Sequence, residues 1–241
     1  MKRVSLELGG KGPLIVFADA DLDKAVGCAA AYGMVNSGQF CGASTRLIVE
    51  DSIYDEFVDR VAKAVSGNKM GYWREDGNTK GPVVSQAQMD KILGYIESGK
   101  SEGARLVTGG NRIDKPGYFI EPTLFADCDP SMKIVREEIF GPVGTILKFK
   151  SGEGNVEDAL RIANDSSYGL VGGVFTSDRA KANHVVRKLK CGLVGNNTYF
   201  GLFYDAPFGG FKESGYGREM AEQGLENYLE TKTVIVDCST P

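Results

Sequence analysis

Short apolar runs that alternate with amphipathic stretches restrict this chain to a narrow class of folds. Leu14-Ile-Val-Phe17, Arg46-Leu-Ile-Val49, Thr145-Ile-Leu-Lys-Phe149 and Leu170-Val-Gly-Gly-Val-Phe175 read as strands, with a shorter one at Gly192-Leu-Val194. Between them lie helical patterns. Asp19 or Asp21 starts a helix that runs to about Val35, and its Ala25, Ala29, Ala30 and Ala31 permit close packing. Ser52 opens another, with Phe57, Val58, Val61, Ala62 and Val65 on one face. Ser85 caps a third, with Met89, Ile92, Leu93 and Ile96 inward. Val156 to Ala163 and Arg179 to Leu189 complete the set. Strands separated by helices require crossover connections, so the pattern predicts an α/β layered domain with a largely parallel twisted sheet flanked by helices. Gly67 to Pro82 and Ile113 to Pro122 read as the long loops.

The 241 residues suffice for one large domain, assigned here to residues 1–230, with residues 231–241 as a terminal strand and tail. Thr231-Lys-Thr-Val-Ile-Val236 is β-branched at most positions; it either joins its own sheet or leaves an edge that pairs with another chain. With 28 basic and 32 acidic residues, net charge −4, the chain has no basic footprint for nucleic acid or an anionic membrane. No apolar run approaches the ~20 residues of a transmembrane helix, and no signal-peptide segment follows Met1. Five scattered cysteines without a CxxC pair predict neither a disulfide framework nor structural zinc. A reducing, cytoplasmic location is the expectation. His184 alone offers no Cys–His or Ser–His pair, and no transition-metal site is expected.

Two polar positions stand out as chemistry. Cys41 sits in Gly38-Gln-Phe-Cys-Gly-Ala43 on a predicted glycine-rich turn, where exposed backbone N–H groups lower a thiol pKa. Glu7 lies between Leu6 and Leu8 before Gly9-Gly10, a setting that desolvates a carboxylate and raises its pKa toward that of a general base. The paired glycines allow close approach of a ligand or another backbone. Against these readings, free cysteines are most often small buried apolar residues, and most glutamates are solvated. The residues alone leave both open. Cys28, Cys128, Cys191 and Cys238 read as structural or incidental, which makes Cys41 the thiol expected to alkylate first.

Several separated blocks together resemble the NAD(P)-dependent aldehyde dehydrogenases. Glu7-Leu-Gly-Gly-Lys11 is similar to their glutamate motif and Gly38-Gln-Phe-Cys41 to their cysteine motif. Glu137-Glu-Ile-Phe-Gly-Pro142, Asn164-Asp-Ser-Ser-Tyr-Gly-Leu170 and Pro207-Phe-Gly-Gly-Phe-Lys-Glu-Ser-Gly-Tyr-Gly-Arg-Glu219 follow in the same order. The resemblance implies that Cys41 attacks an aldehyde to give a thiohemiacetal and then a thioester. It implies that the Cys41 N–H stabilises the oxyanion and that Glu7 activates the hydrolytic water. It assigns Glu138 and Phe140, with Leu8 and Gly9, to the nicotinamide end of NAD or NADP, and Gln88 and Lys91 to further cofactor contacts. Asn197, Leu202 and Phe208 fall where such enzymes line a substrate tunnel. A homo-oligomer joined through the C-terminal strand is also implied.

The blocks correspond to about the C-terminal half of such an enzyme, and the Rossmann-like cofactor domain expected upstream of Glu7 is absent from the sequence. Weak dinucleotide binding and little activity alone are therefore expected, with a complementary cofactor domain as a possible partner. The alternatives are a cofactor-independent thiol esterase using Cys41 and Glu7, or a non-catalytic oligomerisation domain.

Overall fold

The computed structural model describes residues 2–201 and 204–239. In chain order, β1 (Leu6–Glu7) and β2 (Pro13–Val16) precede α1 (Leu22–Gly33); β3 (Arg46–Glu50) leads to α2 (Tyr54–Ser66) and α3 (Gln86–Ser101). Next come β4 (Arg105–Thr108), β5 (Thr123–Ala126), the short α4 (Lys133–Arg136), β6 (Val143–Phe149) and α5 (Asn155–Asn164). The chain continues through β7 (Tyr168–Gly169), β8 (Val171–Phe175), α6 (Arg179–Lys188) and β9 (Leu193–Asn196). It closes with β10 (Phe211–Lys212), β11 (Gly215–Tyr216) and α7 (Ala221–Leu225).

Among the described residues seven strands form one sheet, in the order β4-β5-β6-β3-β2-β8-β9, parallel throughout except for β4 against β5. Alternate residues of each strand face opposite layers. Ile15, Phe17 and Ile48 pack with Met89, Ile92 and Ile96 of α3, Leu160 of α5 and Val185 of α6. Leu14, Val16, Leu47 and Val49 pack with Ala25 and Ala29 of α1 and Phe57, Val58 and Val61 of α2. A sheet covered on both faces favours strands with continuous apolar runs, which is why Leu14–Val16 of β2 and Leu47–Val49 of β3 read so clearly in the sequence. Asp21 caps α1 by accepting from Lys24 N at 3.2 Å, and Ser85 caps α3 by accepting from Gln88 N at 3.2 Å.

Several expectations change. The segment from Ser52 opens with a 3₁₀ turn, Asp51–Ile53, and the α-helix starts at Tyr54. Helix α1 stops at Gly33, because Asn36, Ser37 and Gly38 turn the chain with φ of 49°, 56° and 71°. Strands β4 and β5 were not expected. The first is a partly exposed edge, and the second follows Pro122 at the end of a long loop. Thr231–Val236 pairs with no strand of the described chain, and Val234, Ile235 and Val236 are exposed. The in-chain strand is thus not what this segment forms.

The fold gathers the motifs at one end of the sheet. Gly9–Gly12, Cys41–Thr45, Glu137–Pro142 and Tyr168–Leu170 lead directly into β2, β3, β6 and β8. Open parallel sheets usually hold ligands at the carboxyl ends of their strands. Here the candidate chemistry lies at the amino ends.

Candidate active site

Cys41 is half-buried on the turn before β3, on the face of the sheet that carries α1. Gly10 packs against it so closely that a Cβ added there would run into the Cys41 carbonyl oxygen. Backbone N–H groups of Gly42 and of Cys41 itself face the sulfur and favour its thiolate. They do not prevail. Burial, followed by the charge of Glu138 and then that of Glu7, raises the Cys41 pKa above the ordinary thiol value. The expectation that the turn would lower it is corrected, because burial of the sulfur, with two carboxylates adding to it, outweighs the N–H groups.

Glu138 comes from the segment before β6. Its Oε1 accepts a 2.9 Å hydrogen bond from Gly10 N, and its Oε2 has no hydrogen-bond partner among the described residues. A Cβ at Gly9 would lie 2.9 Å from that Oε2, so the glycine is what admits the carboxylate. Phe140 holds φ at 57° and leaves its ring partly exposed. Gln88 braces this backbone, donating from Nε2 to the carbonyls of Ile139 at 3.2 Å and Phe140 at 2.9 Å. The Gln88 side chain thus supports the Glu137–Pro142 segment, with its amide committed to protein. Lys91 is exposed, with Nζ 5.8 Å from the Tyr95 ring; Tyr95 donates to Glu137 Oε2 at 2.7 Å.

Glu7 is held by a ribbon that sequence reasoning did not anticipate. Strand β1 pairs antiparallel with β11, Leu6 opposite Tyr216 and Glu7 opposite Gly215, and Leu8 N donates to Ser214 O at 3.0 Å. Leu6 and Leu8 are exposed, so they are not the source of desolvation. The Glu7 pKa is nevertheless raised, first by partial burial, then by the Glu219 charge, with Arg218 opposing. Glu219 and Arg218 close the last motif block, and only the ribbon pairing reveals that they act on Glu7.

The three positions expected to line a substrate tunnel separate. Phe208 lies in an aromatic wall: its ring is 6.2 Å from Phe200, which stands 5.0 Å from Phe40, the residue before Cys41. Tyr32 OH donates to Phe200 O at 2.9 Å. Leu202 lies outside the described residues. Asn197 is not with them; it sits past the carboxyl end of β9, at the opposite end of the sheet from Cys41. With φ at 53°, it reverses the chain, and its amide exchanges bonds with the Thr176 backbone at 3.0 Å each way. That turn returns Tyr199 and Phe200 toward the site, the Tyr199 hydroxyl reaching Gly12. Asparagine tolerates this conformation better than most residues.

Two cavities flank the Glu7 ribbon. One of about 560 Å³ is lined by residues including Arg3, Ser5, Glu219 and Tyr228, and another of about 630 Å³ by residues including Val4, Tyr216 and Arg218. Neither of these two is lined by Cys41, although the Glu7 charge acts on its sulfur. Among the described residues no cluster of three or more His, Cys, Asp or Glu suits a metal, and no helix is long and apolar enough to cross a membrane.

Reactivity among the thiols follows from burial. Cys238 is exposed, whereas burial pushes Cys28 and Cys191 up to about 11 and Cys128 to about 12. Brief iodoacetamide treatment at pH 7, read by peptide mass spectrometry, is expected to label Cys238 before Cys41. Labelling of Cys41 first would show that its thiolate is more available than its surroundings imply.

The model of the "Aldehyde dehydrogenase family" matches residues 1–234. The chain is 50% identical over 239 residues to aldehyde dehydrogenase 1A1 of Mesocricetus auratus, covering 99% of this chain and 47% of that protein. It is 46% identical over 237 residues to the cytosolic 10-formyltetrahydrofolate dehydrogenase of Xenopus tropicalis, covering 98% of this chain and 26% of that protein. A solved structure of betaine aldehyde dehydrogenase from Staphylococcus aureus in complex with NAD+ superposes with a TM-score of 0.91 at 43% identity. The match covers 95% of this chain and 46% of that one. The chain thus spans about half the length, or less, of these relatives.

Proposed function

Because this chain belongs to the aldehyde dehydrogenase family, we propose that it carries the nucleophile and base of an enzyme that oxidises an aldehyde to a carboxylic acid with NAD or NADP. The observation that supports this most is the meeting of Gly10, Cys41 and Glu138 at the amino ends of β2, β3 and β6, within reach of the Glu7 charge. Cys41, as thiolate, attacks the carbonyl carbon, and the N–H groups that face its sulfur are placed to stabilise the oxygen as charge develops there. Glu7 takes a proton from water so that the hydroxide attacks the thioester, releasing the acid and restoring the thiol. Phe208, Phe200 and Phe40 supply an apolar wall for the organic part of the substrate. A half-exposed carboxylate with one free oxygen suits a sugar hydroxyl, so Glu138 and Phe140, with Leu8 and Gly9, are the residues that fit the cofactor. The dinucleotide, when bound, supplies the hydride acceptor.

This chain presents the nicotinamide side of such a site and no glycine-rich phosphate loop, so weak affinity for NAD is expected. Acid formation from a simple aliphatic aldehyde should be slow with the chain alone and rise when a relative's cofactor domain is supplied in trans. Cys41→Ala should remove what activity there is, by about 10³-fold or more. Activity undiminished in Cys41→Ala, or saturation by micromolar NAD in calorimetry of the chain alone, would contradict this reading. The exposed Thr231–Val236 segment we assign to subunit association.

A further inference from the structure

The turn that presents Cys41 spans four residues, Phe40 to Ala43, and is closed by Ala43 N donating to Phe40 O at 3.0 Å. Two consecutive residues from a distant segment bear on its two ends. The Phe200 ring stands edge-on to that of Phe40, 5.0 Å away. Tyr199, fully buried, runs past Gly173 of β8 and seats its hydroxyl over Gly12. A Cβ at Gly12 would overlap that hydroxyl and lie 2.7 Å from the Ala43 carbonyl oxygen, so the glycine leaves the hydroxyl its place beside the end of the turn. The Tyr199 hydroxyl has no hydrogen-bond partner among the described residues. A buried hydroxyl without a partner costs folding stability, and phenylalanine would fill the same ring space without that cost. Its presence calls for a reason other than stability. We propose that Tyr199 is a positioning residue for Cys41: with Phe200 it grips both ends of the turn, the Tyr199 hydroxyl wedged at Ala43 and the Phe200 ring at Phe40. This rests on Cys41 being the reacting sulfur and adds how its turn is held. The grip is aimed from the far end of the sheet, where Asn197 reverses the chain with φ of 53° and its amide is tied to the Thr176 backbone. Tyr32 braces it, its hydroxyl donating to Phe200 O at 2.9 Å and its ring 5.7 Å from that of Tyr199.

The test follows acetylation of Cys41 by p-nitrophenyl acetate in the full chain, quenched at intervals and read on the Cys41 peptide by mass spectrometry, beside urea unfolding of each variant. Tyr199→Phe removes the wedge alone. Its initial acetylation rate is expected to fall by about 10-fold, since a small displacement of a reacting atom is costly, while its urea midpoint stays level or rises. Tyr54→Phe supplies the contrast. The Tyr54 hydroxyl donates to Ile146 O at 3.4 Å and accepts from Asp127 N at 2.7 Å. Its loss should lower the midpoint and leave the Cys41 rate within about twofold. Asn197→Ala, which strains the left-handed turn, should slow Cys41 acetylation as well, and Asn197→Gly, which accepts that conformation, should recover most of the rate. This pair serves if Tyr199→Phe does not fold. A wild-type rate in Tyr199→Phe, or an equal slowing in Tyr54→Phe, would overturn the proposal. Absence of acetyl from Cys41 in the wild-type chain would overturn the enzymatic reading, and this one with it, so the two failures are distinguishable.

Discussion

Glu7→Gln is expected to slow steady-state hydrolysis of p-nitrophenyl acetate by about 10²–10⁴-fold, while leaving a stoichiometric first burst of p-nitrophenol. Acylation needs only the Cys41 thiolate, but release of the acyl group needs a base to activate water, and glutamine cannot take a proton. The wild-type pH profile should carry the same imprint. A general base acts only when ionised, and the Glu7 pKa lies above the ordinary carboxylate value, so the acidic limb of deacylation should sit higher than for a solvated glutamate. The Cys41 pKa is raised as well, so acylation should keep accelerating into alkaline solution. An unchanged steady state in Glu7→Gln would remove the base from its role.

Lys11→Met should raise stability at pH 6 and have little effect near pH 10.5. Lys11 is 2% exposed, its Nζ has no hydrogen-bond partner, and burial beside Arg46 lowers its pKa to about 7. In the unfolded chain a lysine titrates near ~10.4. Between those values the unfolded state binds the extra proton, so stability rises with pH across this window. Below about 7 the folded state must carry a buried, unpartnered ammonium, a destabilisation of about 5 kcal/mol as an upper bound; above ~10.4 it vanishes. Methionine fills a similar volume without the charge, so a gain of roughly 2–4 kcal/mol at pH 6 is expected. Urea unfolding of both proteins at the two pH values measures it. A variant less stable at both would mean that the amine has a partner and contributes to the fold.

Much of this was legible in the residues, and for a physical reason. Strands β2 and β8 and the Leu47–Val49 centre of β3 are buried on both faces, so nothing polar interrupts those apolar runs. Asp21 and Ser85 announce their helices because capping is local. What escaped depends on distant pairing. The action of Glu219 on Glu7 exists only because β1 meets β11 some 200 residues away. Asn197 serves a left-handed turn at the far end of β9, with its amide tied to the Thr176 backbone, a pairing that local sequence does not show. Lys11 stood in a quoted motif, yet its burial follows from its place at the head of the central strand β2. Cys41 lies on the glycine-rich turn that its neighbours predict, but its ionisation answers first to burial and then to carboxylates brought from two other segments.

The most direct test of the shared site uses the Glu7→Gln chain, acetylated briefly with p-nitrophenyl acetate, quenched in acid and digested for mass spectrometry. One acetyl group per chain, held on Cys41 and persisting far longer than in the wild type, is the predicted result. Acetyl on another residue, or loss from Cys41 as fast as in the wild type, would contradict it.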